Sequence, residues 1–231
     1  MLLPALTLAC AFVAIAGSLL GPAYAPLLFV FKPLTTVLVI AYAWPRGAAA
    51  LRQRRFVRIG LVLSLVGDVF LLWPKEGFLP GLVSFLLAHL AYIAAFCVPA
   101  RFAARPLVFV GYGAAAALIL SQLWAGVPGP LRAPVLGYVV CLATMAAQAA
   151  VWWRITIGSD GERRARAAAI GGLLFMASDS LLAINKFALP LLFASLWILA
   201  TYWAAQWCIA SSLEPGVEPG SSAGRDAGRS P

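Results

Sequence analysis

Apolar residues run through this chain in blocks of about 20, the length at which a helix crosses a bilayer, with short polar stretches between them. The blocks fall at residues 2–20, 25–44, 57–73, 80–99, 106–125, 132–152, 167–187 and 190–211. They predict an all-α polytopic membrane protein with eight transmembrane helices over residues 1–212 and very short connections. Residues 213–231 lack apolar periodicity and are rich in Pro, Gly, Ser and charge, which predicts a disordered tail.

Basic residues give the blocks a direction. Arg46, Arg52, Arg54, Arg55, Arg58, Arg101, Arg105, Arg154, Arg163, Arg164 and Arg166 lie in or beside the loops of one side, against only Lys75, Arg132 and Lys186 on the other. Because basic loops stay cytoplasmic, both termini and the tail are expected in the cytoplasm. Ala23-Tyr24-Ala25 could pass for a signal-peptide cleavage site. No basic n-region precedes it and the apolar stretch is long for an h-region, so the first block is read as a retained helix; cleavage would leave the other spans and their charge asymmetry unchanged.

Composition agrees with the pattern. With 63% hydrophobic and 11% charged residues and a mean hydropathy of +0.93, the chain carries more apolar surface than one water-soluble core can hide. The net charge of +9 resides in loops between spans, where membrane orientation accounts for it, and a nucleic-acid partner is excluded. Cys10, Cys97, Cys141 and Cys208 sit singly in different spans without metal-ligand spacing and are read as packing residues. The excess of Arg over Lys and the abundance of Ala suggest a GC-rich bacterium, hence its inner membrane.

Against this background two residues stand out: Asp68 in GDVFLLW and Asp179 in SDSLLAINKF. A carboxylate in the hydrocarbon layer costs at least about 2.5–3.5 kcal/mol, so such residues pair, face a cavity and carry function. The other polar residues within the spans are few: Lys32 with Thr35 or Thr36, His89, Tyr92, Tyr138, Asn185, Lys186, Tyr202 and Gln206. His89 and Tyr92 are three apart, Tyr202 and Gln206 four, Asp179 and Lys186 seven, all spacings that share a helix face. Lipid penalises polar stripes and a bundle interior does not, so they are expected to converge on one pocket in the extracytoplasmic half. Trp44, Trp73, Trp124, Trp152 and Trp153, near span ends, are read as interfacial anchors. The strings around the two aspartates also echo each other at an offset of 111 residues, either as two parallel repeats of four spans or as a coincidence of apolar strings.

FKPLTT at 31–36, GDVFLL at 67–72, AHLAYIAAF at 88–96, SDSLLAINKF at 178–187 and TYWAAQ at 201–206 together resemble the YhhN family of lysoplasmalogenase-like membrane proteins. The resemblance implies an eight-helix membrane fold and a lysophospholipid substrate. The implied activity is hydrolysis of the vinyl ether bond of lysoplasmalogen to a fatty aldehyde and a glycerophospho-base.

The residues suit that chemistry. A vinyl ether is cleaved by protonating its β-carbon, water captures the oxocarbenium-like cation, and the hemiacetal collapses to aldehyde and alcohol. Two carboxyl groups in one low-dielectric pocket can divide acid and base roles, as they do around the oxocarbenium-like transition state of glycoside hydrolysis. Asp68 and Asp179 are assigned those roles, in either order. Lys32 would pair with a carboxylate or hold phosphate, and Lys186 is the better phosphate ligand. His89, Tyr92, Tyr138, Asn185, Tyr202 and Gln206 would orient water and substrate. No cofactor is expected, and no metal, because the spacings are wrong and two lysines oppose a cation. Two other readings stay open: structural pairing of the aspartates with Lys32 and Lys186, and a proton-coupled transporter or lipid-binding protein using the same intramembrane charges.

Overall fold

The computed structural model describes residues 2–73 and 75–215. Its helices are α1 (Leu2–Leu19), α2 (Ala25–Ala43), α3 (Leu51–Phe70), α4 (Phe78–Phe96), α5 (Pro106–Leu123), α6 (Gly129–Thr156), α7 (Glu162–Phe187) and α8 (Ala194–Ser211). Single turns of 3₁₀-helix at Pro22–Tyr24 and Trp124–Gly126 precede α2 and follow α5, and no strand occurs among the described residues. Most boundaries lie within a few residues of those expected. Four differ for local reasons. α3 begins at Leu51, because its arginines continue the helix past the apolar block. α6 and α7 likewise run on to Thr156 and back to Glu162, whose carboxylate accepts a hydrogen bond from the Gly158 amide at 2.8 Å. α8 starts at Ala194, not 190, because Pro190 and the left-handed Phe193 (φ 55°) hold the intervening turn out of the helix.

Six of the helices are long and apolar enough to cross a membrane: α1, α2, α4, α5, α6 and α7. α3 falls short because its first turns carry Arg52, Arg54, Arg55 and Arg58, and α8 because Thr201, Tyr202 and Gln206 interrupt its aliphatic residues. Both polar sets have structural outlets: the arginines sit at the helix end, and Tyr202 and Gln206 are buried inside the bundle.

Packing explains the order of the helices. α3 lies against α4, α7 against α6 and α8, and α6 against α4, around fully buried Leu61, Tyr92, Phe96, Met145, Phe175 and Ile209. The alanines of α6 allow close approach. A side chain on Gly172 would meet the Ala146 Cα at 2.9 Å. The outermost helix is α5, of which only Ala116 and Leu123 are buried. Gln148 on α6, absent from the expected polar set, fastens the α4–α5 connection. Its Oε1 accepts from the Ala103 amide at 3.1 Å and its Nε2 donates to the Ala100 carbonyl at 3.1 Å, across the left-handed turn at Ala103 (φ 53°). Past α8, Leu213 is buried and Glu214 stays docked, its carbonyl accepting from the Gly47 amide and its carboxylate facing Arg164 at 3.8 Å. The expected disordered tail otherwise lies, from residue 216, outside the described residues.

The echo between the halves has a packing counterpart. Gly60 and Gly171 stand eight residues before Asp68 and Asp179, respectively. A side chain on Gly60 would lie 2.3 Å from the Tyr92 ring of α4, and one on Gly171 2.9 Å from the Ala205 carbonyl of α8. α4 rests on α6 as α8 rests on α2, the reciprocal contacts that two equivalent halves make. Gly171→Ala pushes against backbone, and a loss of about 1–3 kcal/mol is expected. It is read as a lower melting temperature in detergent, with Gly137→Ala, where the added Cβ meets nothing, as the unaffected control.

Candidate active site

A cavity of about 460 Å³ lies toward the arginine-poor end, walled by α2 to α8 and mostly apolar. Asp68 and Asp179 both line it, the first from the last turn of α3 and the second from α7. So do Lys32, Tyr138, Asn185, Lys186 and Tyr202.

Asp68 is 1% exposed and held from several sides. Its Oδ2 accepts from the Thr36 hydroxyl at 2.6 Å and the Tyr202 hydroxyl at 2.7 Å, and its Oδ1 lies 3.6 Å from the Lys32 ammonium. Lys32 also donates to the Asp68 carbonyl at 3.2 Å. Charge-assisted hydrogen bonds of this kind contribute roughly 1.5–3 kcal/mol each and offset the desolvation of a buried carboxylate. Pro33 follows Lys32 and removes one backbone donor from that turn of α2. Thr36 is four residues beyond Lys32, on the same face. It accepts in turn from the Trp203 indole at 3.2 Å.

Behind Tyr202 the network continues away from the cavity. The Gln206 amide donates to the Tyr202 hydroxyl at 3.2 Å, and the Tyr92 hydroxyl donates to Gln206 Oε1 at 2.7 Å. Tyr92 and Gln206 are therefore supports for Tyr202 and do not line the cavity, contrary to a direct role in orienting substrate. His89 is fully buried and also off the cavity wall. Its ring is wedged edge-on against Phe175 and Tyr138, with centroids at 4.6 and 5.2 Å, and neither nitrogen has a hydrogen-bond partner among the described residues. The shared face of His89 and Tyr92 points into the protein core.

Asp179 has a different setting. It is half-buried, and the Tyr138 hydroxyl of α6 donates to its Oδ2. Lys186, seven residues on, does not pair with it. The Lys186 ammonium lies 4.1 Å above the Phe78 ring at the exposed rim, a cation–π contact that leaves it free to meet an anion. Asn185 turns its carbonyl oxygen to the Leu191 amide at 2.9 Å and so shapes the α7–α8 turn at the rim. Structural pairing thus describes Asp68 with Lys32 but not Asp179 with Lys186. Among the described residues no three His, Cys, Asp or Glu side chains gather as metal ligands.

Thr36, Trp203 and Ser64, which faces the Tyr92 hydroxyl at 3.5 Å, complete the network. Thr36 stood among the expected polar residues without a role, and its four-residue spacing from Lys32 was the available signal for one, whereas Trp203 and Ser64 were missing from that set. Among the expected interfacial anchors, Trp44 and Trp73 are exposed, whereas Trp152 is 4% exposed and packs beside Phe96. It belongs to the core because α6 continues a turn beyond it.

The arrangement combines two carboxyl groups in unlike surroundings, a rim ammonium and a mostly apolar wall. Comparisons with known proteins agree in kind. The chain is 34% identical to human lysoplasmalogenase TMEM86A over 155 residues, 67% of this chain and 63% of that protein. It is 37% identical to human lysoplasmalogenase TMEM86B over 185 residues, 78% and 73% of the two chains. Lysoplasmalogenase of Mycobacterium tuberculosis is 35% identical over 168 residues, 69% of this chain and 59% of that protein. The chain thus matches less than two thirds of the length of the first and third of these relatives. No solved structure matches it. The YhhN family model matches residues 27–213, from the first turn of α2 through the end of α8 and including both aspartates, and the chain belongs to the YhhN family.

Proposed function

We propose that this protein is an integral membrane hydrolase that cleaves the vinyl ether bond of a lysoplasmalogen, or a related lysolipid, to a fatty aldehyde and a glycerophospho-base. The observation that carries this reading is the convergence of Asp68 and Asp179 on one mostly apolar cavity, in a chain whose relatives are named lysoplasmalogenases. All eight helices span the bilayer in this reading, with the arginine-rich end and both termini in the cytoplasm and the cavity toward the outer leaflet of a bacterial inner membrane.

Asp179, with Tyr138 on one oxygen and the cavity beside it, is the acid. Its proton passes to the β-carbon of the vinyl ether, and the C=C electron pair forms the new C–H bond. Asp68 remains the anion, as its several donors favour, and stabilises the oxocarbenium charge where water is scarce. Water adds to the cationic carbon and returns a proton to the Asp179 carboxylate. The resulting hemiacetal releases aldehyde and the glycerol hydroxyl as Asp179 gives that proton to the leaving oxygen and takes up the proton of the hemiacetal hydroxyl, which restores the acid. Lys186 binds the phosphate. It lies seven residues from Asp179, about 10 Å along the helix, at the rim of the same cavity.

Purified protein in detergent micelles, given lysoplasmalogen, is expected to release aldehyde and glycerophospho-base in equal amounts. Uptake of lysolipid into proteoliposomes with no aldehyde would instead favour a proton-coupled carrier.

A further inference from the structure

A second cavity, of about 210 Å³, lies in the seam between α5 and α6. It shares Ala116, Leu120, Val139 and Ala143 with the first, so the two are separated by small or aliphatic side chains only. From Leu120 the seam runs to Phe109, away from the rim that carries Lys186. Those 11 residues of α5 cover about 16 Å at 1.5 Å per residue. One lipid chain spans half of a bilayer's hydrocarbon thickness, about 15 Å. Gly113 and Ala117 in the seam are exposed on the outer face of the bundle, so a chain lying there keeps one side toward the surrounding lipid.

We propose that the α5–α6 seam is the hydrocarbon-chain subsite of this enzyme, with Phe109 as its floor. The proposal rests on the lysolipid reading above and extends it to chain selection. A lysolipid held at Lys186 by its phosphate, with its ether bond beside Asp179, points its chain along this seam. Phe109 closes the far end, its ring packed edge-on against Phe102 with centroids 5.4 Å apart. The bilayer solvates a chain as well as the seam does, so selection comes from fit and not from the hydrophobic effect. Chains reaching Phe109 fill the seam, and longer ones must bend out between α5 and α6.

Gly113→Leu tests this. A Cβ at Gly113 meets no atom within 4 Å, so the substitution fills the seam without straining the fold. Gly111→Leu is the control, because that position is equally open but lies outside the seam. Octyl and hexadecyl vinyl ether lysolipids are compared in mixed micelles for turnover. The corresponding alkyl ethers, which cannot be hydrolysed this way, are compared for binding by thermal shift. Gly113→Leu is expected to lower the hexadecyl-to-octyl ratio of kcat/KM and of affinity about tenfold, the discrimination that one misfitted group produces in an apolar pocket. Gly111→Leu is expected to leave both ratios unchanged. If Gly113→Leu changes both chain lengths equally, or neither, the seam does not hold the chain. Absence of aldehyde at every chain length, with the binding ratio still shifted, would refute the hydrolase and leave the subsite standing.

Discussion

Asp179→Asn is expected to reduce aldehyde release by about 10²–10⁴-fold, the range by which a positioned acid–base group accelerates proton transfer. Asparagine keeps the size of the side chain and can still accept from Tyr138, but it has no proton to give to carbon. Asp179 is half-buried and has the Tyr138 hydroxyl as its single side-chain partner among the described residues, so the fold has little to lose. The melting temperature in detergent should therefore stay near that of the wild type while kcat collapses. Tyr138→Phe provides a graded comparison. It leaves the carboxyl group in place but removes the hydroxyl that orients it, and kcat should fall less than for Asp179→Asn. A well-folded Asp179→Asn protein with undiminished aldehyde release would remove Asp179 from the chemistry.

The second large effect concerns stability. Lys32→Met is expected to cost about 3–5 kcal/mol, because it strands the buried Asp68 carboxylate without its cation. The Thr36 and Tyr202 hydroxyls, at 2.6 and 2.7 Å, remain but carry no charge. Adding Asp68→Asn to Lys32→Met should recover part of that loss, since the double variant has no buried charge left to satisfy. The coupling between the two substitutions, read from thermal or denaturant unfolding, is the quantity that counts. Additive losses would mean that the 3.6 Å pair contributes nothing specific. The double variant should nevertheless be inactive, because it lacks the anion that stabilises the cationic intermediate.

How much of this was legible in the sequence depended on distance along the chain. The helices were readable because bilayer thickness imposes a length on apolar runs, and the meeting of Asp68 and Asp179 in one cavity followed from the penalty on a lone charge in lipid. Which neighbour each carboxyl chose was less accessible. Asp179 shares a face with Lys186, yet Tyr138 from α6 reaches it first, and the long lysine stem carries its charge out to the rim over Phe78. Spacing likewise put His89 and Tyr92 on one face but could not tell whether that face met the cavity or the core. The supports Thr36 and Trp203 come from α2 and α8, and only the folded packing sets Thr36 on the Asp68 carboxylate and Trp203 behind Thr36.

The doubled arrangement around Gly60 and Gly171 has one consequence for chemistry. Were the halves identical, each would present the same carboxyl in the same surroundings, and neither could be assigned to give a proton while the other kept its charge. Here one half answers its aspartate with an ammonium from α2 and the other with a phenol from α6. In the proposed reaction, division of labour arises from unequal neighbours set into a nearly even frame, and exchanging those neighbours is the route by which such a scaffold could swap which aspartate gives the proton and which keeps its charge.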